Sequence, residues 1–202
     1  MYTLYYLPGA CSRAIHALLI ELGADVQLVH RNPSPDFARL NPTGQVPVLV
    51  DNDLVLREGA AIVLYLLEKH AHAMLPCPGA DRARFTQQLM FANATLHPAY
   101  GRLFFISQHI DHEPTRLAAL EQAARMISDL WQTVDRTLAT SPFVCGAQPT
   151  VVDMMLTVYA SWGELFPVDI PVGENVQRLL TDLAQHPSFV KAVEQEQAHQ
   201  AA

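Results

Sequence analysis

Cys11 and Ser12 follow a Pro8-Gly9 turn and stand where a helix begins. Unpaired backbone N–H groups and the local dipole favour negative charge at such a place, which suits a thiolate, the nucleophilic form of cysteine. A cysteine met alone is more often a small buried apolar residue, although this position suits a reactive one. Tyr6 and Ser12 are the hydroxyls near the same spot. A free thiol titrates near ~8.5, so only roughly a few per cent is ionised at neutral pH. One hydroxyl donating to the sulfur would raise that fraction. Each hydroxyl also has a structural use, Ser12 as an N-cap and Tyr6 as a strand aromatic filling the core. Cys77 and Cys145 lack such a setting and read as structural.

A second group lies at Asn41-Pro42-Thr43-Gly44-Gln45-Val46-Pro47-Val48-Leu49-Val50, followed by Arg57-Glu58-Gly59-Ala60-Ala61. Val46 to Val50 has the composition of a short strand. Pro47 cannot donate a ladder hydrogen bond, so it needs an edge, a bulge or a cis peptide in a tight bend. A cis Val46-Pro47 bond would turn the Val46 N–H and C=O outward, free to pair with an extended, peptide-like ligand. Glu58 and Gly59 open the next helix, whose first amides suit a carboxylate. A backbone clamp and an anion site are thus expected side by side.

The elements that must hold these groups can be read in order. Tyr2 to Leu7 predicts a strand, Ser12 to Leu22 a helix stopped at Gly23, and Val26 to Val29 a second strand, giving a right-handed βαβ unit. Asn32 to Pro35 reads as a loop and Asp36 to Leu40 as at most a short helix. The proline strand, a hairpin at Asp51-Asn52-Asp53, the strand Leu54-Leu56 and a helix from Ala60 to His70 complete a ββα half. Pro76, Pro78 and Gly79 place a boundary between residues 71 and 80. Beyond it the pattern is helical: Asp81 to His109 as one long helix, with a kink at Pro98, then an amphipathic helix carrying Leu117, Leu120, Ala124, Ile127, Leu130, Val134 and Leu138. Thr150 to Asp153 forms a capping box opening a helix that ends near Trp162-Gly163. Helices over Asn175 to Gln185 and Ser188 to Gln200 close the chain. The expected domains are residues 1–75, α/β, and residues 81–202, all-helical.

Half of the 202 residues are hydrophobic, enough for a packed core, and the formal charge of −7 with no basic cluster argues against a nucleic-acid partner. Three cysteines without a C-x-x-C pair, no signal-peptide pattern and no apolar run of membrane length point to a cytoplasmic protein with no membrane partner. The nine histidines show no metal-ligand spacing such as H-E-x-x-H, so no metal is expected.

The segments Gly44-Gln45-Val46-Pro47-Val48-Leu49 and Glu58-Gly59-Ala60-Ala61-Ile62 resemble the glutathione site of the glutathione transferase family. The start, Tyr6-Leu7-Pro8-Gly9-Ala10-Cys11-Ser12, is similar to that family's bacterial beta class. The resemblance implies a thioredoxin-like N-terminal domain (βαβ-ββα), an all-helical C-terminal domain, and a homodimer with a site at each interdomain cleft. It implies that glutathione is the co-substrate, its sulfur attacking a small apolar electrophile. Gln45, Val46 and Pro47 would form the peptide clamp, Glu58 would take the γ-glutamyl amino group and Gly59 its carboxylate. Cys11 would face the glutathione sulfur, assisted by Ser12 or Tyr6, and can form a mixed disulfide with it. His97 aligns with a beta-class histidine that reaches the thiol. Two departures stand out: Pro98 where the pattern has Lys, and Gly59 where many members outside the beta class carry Ser. Tyr100, Phe104, Phe105 and Trp162 mark the expected electrophile pocket. Disulfide exchange through Cys11 and a non-catalytic binding role on the same fold are the alternatives.

Overall fold

The computed structural model describes residues 1–32 and 37–200. Two compact units divide the chain: Met1–Ala83 with Ala184–Ala202, and Arg84–Leu183.

The first unit is built on a four-stranded sheet of order β2-β1-β3-β4. Strand β1, Tyr2–Tyr6, runs parallel to β2, Val26–His30, from Tyr2 opposite Val26 to Tyr6 opposite His30. Strand β3, Val48–Asp51, is antiparallel both to β1 and to β4, Leu54–Leu56. Alternation along β1 sends Tyr2, Leu4 and Tyr6 into the core. They meet Ile15, Leu18 and Leu19 of α1 (Ser12–Glu21) and Ile62, Val63 and Leu66 of α3 (Gly59–Lys69), all essentially inaccessible. Each such aliphatic side chain contributes about 1.5–3 kcal/mol on burial. Helix α1 ends as Gly23 takes φ +61°, and the amides of Gly23 and Ala24 return to Ile20 and Leu19 carbonyls. On the other face Phe37, which opens α2 (Phe37–Leu40), packs with Val46, Val48 and Tyr5. The loop expected at Asn32 to Pro35, with Asp36, lies outside the described residues from residue 33 on.

Val46 is not part of the strand it was expected to open. The Val46–Pro47 peptide is cis, and β3 starts at Val48, the first residue past a proline that has no N–H to offer the ladder.

The second unit is helical. Asp81 to His109 is not one helix: α4 (Ala80–Met90) passes through a π-helical turn, Phe91–Leu96, into α5 (His97–His109). Pro98 explains the place. Its ring would meet the carbonyl four residues back, at Ala94, and it supplies no N–H, so the turn widens around residue 94. Helix α6 (Glu113–Leu138) buries Leu120, Ala124, Ile127, Trp131, Val134 and Leu138 along one stripe. Helix α7 (Val151–Ser161) is buried from Val151 to Tyr159, which makes it the core of this unit. A 3-10 turn follows at Trp162–Leu165, then α8 (Glu174–Ala184).

The last helix, α9 (Pro187–Gln200), belongs to the first unit and packs on α1. Glu196, 1 % exposed, accepts from Arg13 Nε at 2.9 Å and from the Gly9 amide at 3.1 Å. His16 Nε2 lies 2.8 Å from Gln195 Oε1.

Candidate active site

Three local features build the site in the first unit. The turn after β1 carries Gly9 at φ +71°, a left-handed conformation that glycine reaches without steric cost, and brings the chain into α1 with Cys11 at its N-cap. The segment before β3 is tied down from both sides: Asn41 Nδ2 donates to the Gln45 carbonyl at 2.7 Å, and Arg31 Nη1 to the Gly44 carbonyl at 2.7 Å. Helix α3 begins at Gly59, its first intrahelical bond running from the Ile62 amide to the Glu58 carbonyl at 2.9 Å. The amides of Gly59, Ala60 and Ala61 therefore have no intrahelical acceptor.

These features converge on Cys11. Its thiol donates to the Val46 carbonyl at 3.1 Å, joining the turn to the clamp segment across the fold. Burial pushes its pKa up to about 12, and the Glu58 carboxylate adds to the rise. Hydrogen bonds from the Cys11 and Ser12 amides pull the other way without offsetting the lost hydration. The thiolate expected from the helix start is thus not the resting form; desolvation outweighs the dipole. Glu58 is exposed and extended (φ −102°, ψ 128°), and its side chain makes no cap to the helix it precedes.

The two hydroxyls are placed differently from the sulfur-assisting arrangement. Ser12 is fully buried; its Oγ donates to the Leu7 carbonyl at 3.2 Å and accepts from the Leu7 amide at 3.3 Å, so its one proton is committed to the turn. Tyr6 is 1 % exposed, edge-on to His30 and His199, and its hydroxyl has no hydrogen-bond partner among the described residues. Burial, then the Glu196 charge, raises the Tyr6 pKa. Gln45 is exposed beside buried Val46 and Pro47.

His97 is in the second unit, at the start of α5. Its ring stacks on Tyr159 with centroids 5.0 Å apart and planes 7° from parallel, and lies 5.2 Å from Trp162. Burial lowers its pKa, so it is a neutral imidazole at neutral pH. Trp162 also meets Tyr100 and Phe104 edge-on at 5.9 Å, and Phe104 meets Phe166 at 4.9 Å. Tyr100 is buried and accepts from Trp131 Nε1 at 2.8 Å, whereas Phe105 is 61 % exposed and stacks on His109. Glu196 was not legible as a site-supporting residue: nothing local marks a glutamate on a terminal helix as the partner of Gly9 and Arg13.

Sheet topology, the cis-proline segment before β3 and the open helix start define a thioredoxin-like domain followed by a helical one. Residues 1–68 match the glutathione S-transferase N-terminal domain family. A curated relative, glutathione S-transferase GST-4.5 of Xanthomonas campestris pv. campestris, is 31 % identical over 89 % of this chain and 93 % of its own. Among solved structures, a sphingomonad glutathione S-transferase complexed with glutathione is 30 % identical, with a TM-score of 0.83 over 96 % of this chain and 98 % of that one. A bacterial beta class glutathione S-transferase from Sphingomonas chungbukensis is 28 % identical, with a TM-score of 0.82 over the same shares, 96 % and 98 %. The chain belongs to the glutathione S-transferase family, and it is an enzyme of that transferase class.

Proposed function

We propose that the protein binds glutathione at the Val46–Glu58–Gly59 site and transfers its sulfur to small apolar electrophiles. The observation that carries this is the Val46 carbonyl 3.1 Å from the Cys11 sulfur, with the Glu58 charge felt by that thiol. A tripeptide with a central thiol needs such a set. Val46 pairs with its backbone, the free amides at the start of α3 hold the γ-glutamyl carboxylate, and Glu58 takes the amino group. Cys11, as a neutral thiol, donates to the bound sulfur and lowers the cost of ionising it. Ser12 acts through the turn it closes. In the second unit, the aromatic group around Trp162, with neutral His97 stacked within it, receives the electrophile. Disulfide exchange through Cys11 needs its thiolate, which burial opposes, so conjugation ranks first. A homodimer in the cytoplasm goes with the family resemblance and with three free cysteines.

Titration calorimetry of the reduced protein with glutathione, beside Glu58→Ala, tests the binding site. The expected result is micromolar to low-millimolar binding, weakened about tenfold or more by the substitution, since a charge-assisted hydrogen bond is worth roughly 1.5–3 kcal/mol. Absence of binding would remove the proposal. Turnover of 1-chloro-2,4-dinitrobenzene with glutathione tests the reaction.

A further inference from the structure

The Val46 carbonyl is the acceptor half of the peptide clamp, yet in the free protein it is already engaged by Cys11. The thiol donates to that oxygen at 3.1 Å and so takes up one of its acceptor positions. The thiol has little reason to leave unaided. Its surroundings keep it protonated, and its donor role is filled by the carbonyl. The carbonyl cannot turn away, because the preceding peptide is fixed by Asn41 on Gln45 and by Arg31 on Gly44. Nor can the cysteine drift, since Ser12 next to it is bonded to Leu7 in both directions and Gly9 two residues before it is held by Glu196.

We propose that the Cys11 thiol is a placeholder in the clamp: it occupies the Val46 carbonyl until the backbone N–H of a glutathione-type ligand displaces it, and that displacement releases the thiol to turn toward the ligand's sulfur. This rests on the glutathione reading of the site and adds its regulation. Cys11 is then a positioning residue in the free enzyme that becomes a sulfur partner only once ligand is seated. The exchange is of hydrogen bonds alone. The ligand N–H replaces the S–H at Val46, and the S–H proton moves with the thiol to its new acceptor.

Removing the donor should tighten binding, and strengthening it should weaken binding. The probe is S-methylglutathione, which keeps the peptide backbone but has no thiol and cannot form a mixed disulfide. Calorimetry with wild type, Cys11→Ala and Cys11→Ser should give affinities in the order Ala, Cys, Ser, each step about two- to tenfold, the range of one neutral hydrogen bond. A purely steric role for the sulfur predicts instead that serine, being smaller than cysteine, binds at least as tightly as wild type. That result, or equal affinities in all three proteins, overturns the placeholder while leaving glutathione binding intact. If wild type binds neither glutathione nor S-methylglutathione, the glutathione reading itself falls and the placeholder with it.

Discussion

Stability should drop as the solution is acidified from neutrality toward pH 4, and His16 should account for about 3 kcal/mol of the drop. His16 is fully buried in α1, bonded through Nε2 to Gln195 at 2.8 Å, with Nδ1 unpartnered among the described residues. Burial leads in lowering its pKa to about 4 from 6.5; the Gln195 bond opposes this, and His199, Arg13 and Lys191, all potential cations, reinforce it. Between those two values the unfolded chain binds a proton that the folded protein refuses. Stability therefore rises with pH through this window and is lost as pH falls. The gap corresponds to about 3 kcal/mol at roughly 1.4 kcal/mol per pH unit, of which about 2 kcal/mol should be gone by pH 5. Glu196, raised chiefly by burial, has the opposite slope above pH 4.5, and His97, lowered by burial, the same slope as His16, so the total curve mixes several groups. The comparison that isolates His16 is wild type against His16→Gln, by urea denaturation at pH 7, 6, 5 and 4.5. The variant's curve should be flatter by about 2 kcal/mol between pH 7 and 5. Parallel curves would refute the reasoning, whatever the variant's absolute stability.

Other substitutions should separate along structural lines. Asp153 accepts from the amides of Thr150 at 2.8 Å and Val144 at 3.0 Å and from the Thr150 hydroxyl at 3.0 Å, all buried. Asp153→Ala should cost about 3–5 kcal/mol, because two buried amides lose their acceptor, and Thr150→Ala nearer ~1 kcal/mol, the worth of a cap. Urea midpoints in the reverse order would contradict that assignment. Gly173→Ala would put a Cβ 2.1 Å from Asp135 Cγ, dislodging the carboxylate that accepts from the Asn175 and Val176 amides at 2.9 and 3.1 Å. A loss of about 2 kcal/mol in a thermal melt is expected from those two bonds. No loss would mean that α8 does not need this cap.

What the sequence disclosed follows the range of the interactions. The βαβ and ββα halves were legible because their signals are local: alternation in Tyr2 to Tyr6, apolar spacing in α1, Gly23 past its end and the capping box at Thr150 and Asp153. The break at Pro47 and the open start of α3 were legible too, since proline and a helix entry announce themselves within a few residues. Burial does not. The raised pKa of Cys11, the commitment of Ser12 to Leu7 and the stacking of His97 on Tyr159 depend on neighbours distant in sequence or on packing that no spacing encodes. The split of the long helix was half visible: Pro98 gave the cause, but the widened turn lies upstream of it, where its missing N–H and its ring are felt.

Helix α9 carries a consequence for how the protein is made. Its Glu196 holds Gly9 and Arg13, so the first unit is completed by a segment translated after the whole of the second. The sheet, α1 and α3 must wait through the synthesis of the whole intervening unit, at about 5–20 residues per second, before their final partner exists. During that interval the α1 surface that α9 covers, including His16, is open to water and to chaperones. The thiol turn therefore gains its last partners only after the second unit has been made.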